Sequence, residues 1–544
     1  MNGIRNRIAH ASMAFAFVAV LSFGAGSQTV AAQSFAPIFN MSSLNGVNGF
    51  RLDGGAIAEW SSYSVGAAGD INGDGIDDMV IGAPFADSGP GYAGRVYVVF
   101  GQTINGSFLA KRWLSSLDGS NGFRMDGVSY VSKLGMGVSS AGDINGDGLD
   151  DLVVGAPESG GGLVHVVFGR ANGSTFPALL PLSSLDGSSG FTISGSDSQQ
   201  LGWSTSSAGD LNSDGIDDLI IGAPGFTKTM NSGSAYVVFG RSSGTPFNST
   251  MSVLDLNGDN GFRIVGGSVG EGLGHSVSAV GDVNGDGLDD VIIGAPFAHN
   301  ADWYAGSSYV LFGRTSTATF DSIVTTSSLD GTTGFRLDGE DAEDRSGWIV
   351  SKTGDVNGDR IDDMAIGDFS HSMANQHTGK SYVVFGRAGS MSYEPVLSLS
   401  QLDGQNGFRI DGAGIGDFTG SAVSGAGDVN GDGVNDIIVG ADKTAASGVN
   451  PAATYVVFGR RSQFSFPPAL QLSALDGNNG FRMDPEAIDD STGRSVSAAG
   501  DVNHDGIDDI IVGAPLADSF DTSSNSGSSY VVYGNDTIFA NSFN

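Results

Sequence analysis

Short apolar runs alternate with polar, glycine-rich segments along almost the whole chain. Runs such as Val291-Ile292-Ile293 and Tyr236-Val237-Val238 consist of β-branched and aromatic residues and are bounded by clusters of Gly, Asp and Ser, which is typical of strands. No stretch has convincing helical periodicity. The pattern therefore predicts an all-β protein.

The pattern recurs seven times. Each copy contains a nine-residue polar segment like Asp282–Asp290, and successive copies start 67 to 73 residues apart, which indicates a repeat architecture. Four strands are predicted in each repeat: a strand of small residues before the polar segment, an apolar strand after it, a Tyr-Val-Val-Phe strand and a Gly-Phe-Arg strand. The polar segments begin at Asp70, Asp143, Asp210, Asp282, Asp355, Asp428 and Asp501.

Seven repeats of four short strands predict a seven-bladed β-propeller with four antiparallel strands per blade. This single domain would span residues 33–544. The repeats begin with a fourth strand at residues 49–54 and end with a third strand at residues 530–534. The N-terminal strand is therefore predicted to complete the last blade and close the ring, which would remove exposed sheet edges.

The polar segments have the composition of calcium loops. In the first copy, oxygen-bearing side chains occupy positions 1, 3, 5 and 9, namely Asp70, Asn72, Asp74 and Asp78. Oxygen ligands without His or Cys favour Ca²⁺ or, less well, Mg²⁺. Glycine at position 6 permits the sharp turn, and the carbonyl of residue 7 can point inward. Position 12 is the apolar Ile81, so these are not EF-hands.

Up to seven Ca²⁺ ions are predicted, and the alternative is a set of Asp-Asn-Gly turns without metal. The side-chain ligands would be Asp70, Asn72, Asp74, Asp78, Asp143, Asn145, Asp147, Asp151, Asp210, Asn212, Asp214, Asp218, Asp282, Asn284, Asp286, Asp290, Asp355, Asn357, Asp359, Asp363, Asp428, Asn430, Asp432, Asp436, Asp501, Asn503, Asp505 and Asp509. The carbonyl ligands would be Ile76, Leu149, Ile216, Leu288, Ile361, Val434 and Ile507. The fifth loop should be the weakest, since Arg360 replaces the glycine at position 6.

Residues 1–32 are predicted to be a secretory signal peptide. A basic start with Arg5 and Arg7 precedes an apolar run from Ala11 to Phe23, and small residues precede Gln33. The alternative is a retained signal anchor, although the run is short for a membrane span. The mature chain would be secreted to an extracellular or periplasmic location, including the cell surface, and no membrane span is expected in it.

Composition and charge restrict the classes of function. The chain has 86 Gly and no Cys among 544 residues, so disulfides and thiol chemistry are excluded. The formal net charge of −35 disfavours nucleic acid and anionic lipid as partners. Much of this charge lies in the polar segments, so it is mainly a metal signature.

The repeats resemble the FG-GAP family, best known from the N-terminal propeller of integrin α subunits. Besides the loops, the resemblance is carried by Gly-Ala-Pro after the second strand, as at Gly82-Ala83-Pro84. It covers essentially all of the mature chain. The fifth repeat departs from the motif with Gly367-Asp368-Phe369, the sixth with Gly440-Ala441-Asp442. The resemblance implies a calcium-binding adhesion module, and neither an inserted ligand-binding domain nor a leg region is expected from this sequence.

A ligand surface is predicted at the end of the channel opposite the metal loops. The residue seven positions before each loop is chemically variable, whereas its neighbours barely vary. Large aromatics beside Arg and His suit a binding surface, and integrin propellers use this face for partners. The alternative is that these side chains fill the channel. The predicted contacts are Tyr63, Met136, Trp203, His275, Trp348 and Arg494, helped by Trp60 and Trp303.

Three functions remain open at this stage. The first is a secreted binding or adhesion module with an extracellular protein or glycan as ligand. The second is a propeller enzyme, a hydrolase or lyase; it is not favoured, since the histidines are scattered and no Ser-His-Asp or metal-hydrolase constellation is present. The third is a purely structural surface protein. The one weak histidine pair, His371 and His377, shares a single loop.

Overall fold

The computed structural model describes residues 35–87, 91–103, 108–196, 199–225, 232–369, 378–389, 393–414, 416–442, 452–518 and 525–534. The predicted signal peptide and the pair His371 and His377 lie outside the described residues. Among those that are described, no helix has the length and apolar character needed to cross a membrane.

The chain folds into seven antiparallel sheets, each with four successive strands, so the predicted seven-bladed propeller is confirmed. The first strands are Ser64–Gly69, Val138–Gly142, Ser204–Gly209, Val277–Gly281, Ser346–Gly354, Thr419–Gly427 and Ser495–Gly500. The second strands are Asp78–Ala83, Asp151–Ala156, Asp218–Ala223, Asp290–Ala295, Asp363–Asp368, Asp436–Ala441 and Asp509–Ala514. The third strands are Arg95–Val99, Leu163–Val167, Ser234–Val238, Ser307–Leu311, Lys380–Val384, Ala453–Val457 and Ser528–Val532. The fourth strands are Gly122–Asp126, Gly190–Ser194, Gly261–Val265, Gly334–Asp338, Gly407–Asp411, Gly480–Asp484 and Gly49–Asp53.

The ring is closed by the N-terminal strand, as predicted. Gly49–Asp53 pairs antiparallel with Ser528–Val532, with Gly49 opposite Val532 and Asp53 opposite Ser528. The first strands of neighbouring blades contact one another all the way round, including the first strands of blades 1 and 7. The first strands are therefore innermost, where their small residues let seven sheets converge.

A short fifth strand, not predicted from the sequence, lies on the outer edge of six blades. In five blades it comes from the connection between the third and fourth strands of the next blade, and in blade 6 it comes from the segment before Gly49–Asp53; in each case it runs parallel to the fourth strand. Three residues are too few to give a periodic signal in the sequence. These edge strands are Thr250–Ser252, Ile323–Thr325, Val396–Ser398, Ala469–Gln471, Ile38–Asn40 and Lys111–Trp113, on blades 2 to 7 in that order.

Each edge strand leads into a single 3₁₀ turn, and in the described part of the chain all helical segments are of this kind. Leu114 of the first such turn in the repeats is 1% exposed, so it covers the side of the propeller. The turns bordering blades 1 to 7 are Leu182–Ser184, Val253–Asp255, Thr326–Ser328, Leu399–Gln401, Leu472–Ala474, Met41–Ser43 and Leu114–Ser116.

The core lies between adjacent blades, and stacked aromatic pairs mark its outer rim. Phe191 of a fourth strand stacks on Phe247 of the following connection at 4.2 Å, with planes 5° apart. Arg241 lies 4.5 Å above the Phe247 ring. The stack recurs in every blade, with Phe35 serving blade 6. The residues before Gly49 therefore belong to the propeller.

Candidate metal loops and the opposite channel mouth

The seven polar segments form closely similar loops between first and second strands. In the first loop, Asp70 accepts hydrogen bonds from the backbone N–H groups of Asp74 (2.9 Å) and Gly75 (2.7 Å). Asp74 in turn accepts one from Ile76 N–H at 3.1 Å. The same three bonds occur in the other six loops. The position-1 and position-5 carboxylates thus order the loop backbone.

The position-9 carboxylate is buried beneath each loop. Asp78 is 0% exposed and accepts a hydrogen bond from Gly101 N–H at 2.9 Å. The pKa of its counterparts Asp151 and Asp290 is raised to about 8, mainly by burial and in smaller part by the position-1 and position-5 carboxylates of their loops. In all seven loops the position-1 and position-5 carboxylates act electrostatically on the buried position-9 carboxyl group, which favours a cation or a proton near it.

Position 6 requires a left-handed backbone. Gly75 has φ 86°, and a Cβ atom added there would meet no atom of the described residues within 4 Å. The requirement is therefore conformational and not steric. Arg360, the predicted exception in the fifth loop, also adopts a positive φ of 73°. The fifth loop therefore keeps the common backbone conformation, although a left-handed φ is unfavourable for arginine.

The donor set of the loops suits Ca²⁺, but their side chains are held by the loops' own hydrogen bonds. Asn72 directs Nδ2 to both oxygens of Asp78 at 3.2 Å, and exchanging the two ends of the amide would present Oδ1 instead. In the seventh loop the buried Oδ1 of Asn503 has no hydrogen-bond partner among the described residues. In the described part of the chain no three acidic or histidine side chains are close enough together to hold a metal ion.

The carboxylate at position 8, which the sequence analysis did not single out, joins neighbouring blades. Asp150 of the second loop accepts a hydrogen bond from the backbone N–H of Asp70, the first residue of the first loop, at 2.9 Å. Six of the seven blade junctions have this bond, at 2.8–3.2 Å. The only signal in the sequence is the doubled acidic residue at positions 8 and 9.

The position-8 carboxylate also explains the glycine that ends every first strand. Gly69 has φ 65°, and a Cβ atom on it would lie 2.3 Å from Oδ2 of Asp150. Both the backbone conformation and the close approach of the neighbouring blade exclude a side chain there. The first strand therefore ends in glycine for a contact between blades.

At the opposite end of the channel, three of the predicted ligand contacts form one cluster. The His275 ring lies 4.2 Å from Trp348 and 6.0 Å from Trp203, and Nδ1 of His275 is 2.8 Å from the carbonyl oxygen of Trp348. Burial lowers the pKa of His275 to about 4. His275 is therefore neutral at neutral pH and packs between two half-buried tryptophans.

The other predicted contacts are less uniform. Arg494 donates a hydrogen bond to the Tyr63 hydroxyl at 3.0 Å and forms an ion pair with Asp442 at 3.5 Å. Tyr63, Met136 and Arg494 are all half-buried. Trp60 packs against Phe85 at 4.8 Å. The most exposed of the group, Trp303, is 60% exposed.

Five of the blades match a known family of repeats. The FG-GAP repeat family matches residues 62–99, 135–167, 201–238, 273–311 and 492–532. Each matched segment covers the first three strands and the metal loop of blade 1, 2, 3, 4 or 7. The chain is thus a seven-bladed β-propeller in which five blades contain FG-GAP repeats.

Among curated proteins the chain is similar to integrin α subunits and to a phospholipase. It is 35% identical to integrin alpha-PS5 of Drosophila melanogaster over 32% of this chain and 16% of that protein. It is 32% identical to integrin alpha-IIb of Mus musculus over 33% of this chain and 16% of that protein. It is 34% identical to phosphatidylinositol-glycan-specific phospholipase D of Bos taurus over 31% of this chain and 20% of that protein. The matches span a fifth or less of these relatives.

Proposed function

We propose that this protein is a calcium-binding extracellular module that binds a partner through the channel mouth opposite its metal loops. The observation that carries the proposal is the sevenfold recurrence of one loop with carboxylates at positions 1, 5 and 9. A structural turn has no need of a buried carboxylate at position 9, because burying that charge costs free energy.

Calcium would be held by the side chains at positions 1, 3, 5 and 9 and the carbonyl at position 7. When bound, the ion supplies positive charge that offsets the repulsion among three carboxylates of one loop. The loops connect the innermost strands to their neighbours, so the ions would stabilise the centre of the ring. The donor chemistry supports calcium, and its binding remains to be measured.

The partner surface is supported by the cluster at the opposite mouth. Trp203 and Trp348 are half-buried around His275, and Arg494 lies beside Tyr63. Aromatic and Arg side chains with part of their surface exposed are frequent anchors in interfaces. The similarity to integrin α subunits supports a binding or adhesion module, and the ligand class we propose is an extracellular protein or glycan.

An enzyme is the weaker proposal. The phospholipase D match covers 20% of that protein, which is too little to carry over its activity. In the described residues, His165 is buried with Nδ1 3.0 Å from Thr192 Oγ1, and burial lowers its pKa to about 4. His165 therefore packs within a blade and is neutral at neutral pH.

The test is a search for ligands of the calcium-loaded protein on glycan and extracellular-protein arrays, followed by mutation. Trp203→Ala combined with Trp348→Ala should abolish binding to the captured ligand, while calcium uptake by equilibrium dialysis and β-sheet circular dichroism stay unchanged. Trp113→Ala is the matched control, since Trp113 lies in an edge strand on the side of the propeller. Full binding by the folded double variant would place the ligand elsewhere.

A further inference from the structure

The position-8 carboxylates connect the metal loops in one direction around the ring. The carboxylate comes from one loop, and the N–H that it binds belongs to position 1 of the loop in the preceding blade. Asp150 thus serves the first loop, Asp217 the second and Asp289 the third. The series continues across the closure, where Asp77 of the first loop accepts from Asp501 N–H of the seventh at 2.9 Å.

The residue held in this way begins the network that orders the preceding loop. Asp150 fixes the backbone of Asp70, whose two carboxylate oxygens hold the N–H groups of Asp74 and Gly75. Asp74 then holds Ile76. A continuous series of hydrogen bonds therefore runs from the second loop through positions 1, 5, 6 and 7 of the first.

The carboxylate is also tied to its own loop through the adjacent residue. Asp151 follows Asp150 directly and is a predicted metal ligand, 0% exposed and held by Gly169 N–H at 2.9 Å. Anything that fixes Asp151 also limits where Asp150 can lie. Order in the second loop is therefore transmitted to the first.

One junction differs from the other six. At position 8 of the sixth loop the chain has Asn435, whose backbone N–H donates to the carbonyl of Asp355 at 3.1 Å. A Cβ atom on Gly354 would lie 2.7 Å from Oδ1 of Asn435, so the side chain occupies the usual place. Between blades 5 and 6 a neutral amide thus stands where the other junctions have a carboxylate.

We infer that each position-8 carboxylate is a positioning residue for the metal site of the preceding blade, and that the seven sites are coupled around the ring. The inference rests on the proposed calcium binding. Coupling of this kind is reciprocal: an ion in the second loop favours an ion in the first by the same factor as the reverse. The coupling should be weakest between loops 5 and 6.

A double-mutant cycle tests which loop Asp150 serves. Asp150→Asn keeps the size of the side chain and removes its charge, and it should weaken one calcium site about tenfold, as expected for a lost charge-assisted hydrogen bond. Asp74→Asn should abolish calcium binding by the first loop, and Asp147→Asn should abolish it in the second. Calcium isotherms by equilibrium dialysis should show the Asp150→Asn effect in the second-loop background and none in the first-loop background. The opposite pattern would overturn the inference.

Amide hydrogen exchange without calcium separates the inference from the proposed function. Asp150→Asn should speed exchange of the N–H groups of Asp70, Asp74 and Gly75 and leave the second loop unchanged. If Asp150→Asn changed the exchange rates of the two loops by the same amount, the positioning role would be refuted even if calcium binds. An isotherm without calcium uptake by the parent protein would instead refute the proposed function. Asn435→Asp is the gain-of-contact control, which should tighten the fifth site and not the sixth.

Discussion

At the scale of single residues, the fifth loop differs from the others in the residue type at position 6. Six loops place glycine there, with positive φ and open space around the missing side chain. Arg360 adopts the same conformation with φ 73°, and its amide still donates to Asp355 at 2.7 Å. The fifth loop therefore keeps the common structure and stores backbone strain.

Relief of this strain should be measurable. Arg360→Gly is expected to stabilise the folded chain by about 1 kcal/mol, since a left-handed conformation costs roughly that much outside glycine. It should also tighten one calcium site, because a cationic side chain is removed from the loop. Thermal denaturation and calcium titration check both effects. Gly287→Arg in the fourth loop is the reverse substitution, and a gain in stability there would contradict this account.

At the scale of elements, the second strands show where one blade departs from the rest. Six of them end in Ala, whereas that of blade 5 ends in Asp368. Asp368 is 0% exposed, and neither of its oxygens meets hydrogen-bond geometry with a partner in the described residues. Burial raises the pKa of Asp368 well above its usual range, the nearby Asp344 raises it further, and Lys380 opposes the shift.

The raised pKa gives stability a pH dependence of known sign. Folded Asp368 keeps its proton at pH values where the unfolded chain has lost it, so the free energy of unfolding falls as pH rises from about 4. Asp368→Ala should remove the contribution of Asp368 to this slope and stabilise the chain by about 1–3 kcal/mol at pH 7. Chemical denaturation at pH 4 and pH 8 measures the difference. Asp321→Ala, at an exposed residue in the connection after the third strand of blade 4, is the control and should change little.

The strands differ in how well they could be predicted from the sequence. The blade strands were predictable because apolar β-branched runs recur seven times. The edge strands were not, because three residues such as Ile38–Asn40 gain their strand character only from the blade that they cover. Position 8 was missed for a similar reason: Asp150 acts on Asp70, 80 residues earlier in the chain. The residue pattern within one repeat does not reveal a contact between two different repeats.

At the scale of the whole molecule, the number of blades and the closure of the ring followed from repeat number and register alone. The predicted ligand contacts were only partly brought together: His275 lies against both Trp203 and Trp348, whereas Arg494 binds Tyr63 and Asp442. Side-chain packing at the channel mouth depends on which residues neighbour each other across blades, and the spacing within a repeat does not give it.

Calcium removal should act on the molecule as a whole. At about 1 mM Ca²⁺ and a Kd near 0.1 mM, each site adds about 1.4 kcal/mol, so seven independent sites would add about 10 kcal/mol, comparable to the stability of a typical domain. EDTA should therefore lower the melting temperature markedly, and excess Ca²⁺ should restore it. Differential scanning calorimetry checks this. A melting temperature indifferent to chelator would contradict calcium as part of the fold.

The pairing of Gly49–Asp53 with Ser528–Val532 has a consequence for biosynthesis. A ribosome makes the chain from its N-terminus, at about 5–20 residues per second. Almost 500 residues separate the two strands, so the first waits roughly 25 to 100 s for its partner to be made. Throughout that time the edge that pairs with Ser528–Val532 has no native neighbour, although the other edge can pair with Lys111–Trp113. A strand made near the start is thus fully paired only near the end, and closure of the ring depends on keeping that edge extended and unaggregated until Ser528–Val532 is made.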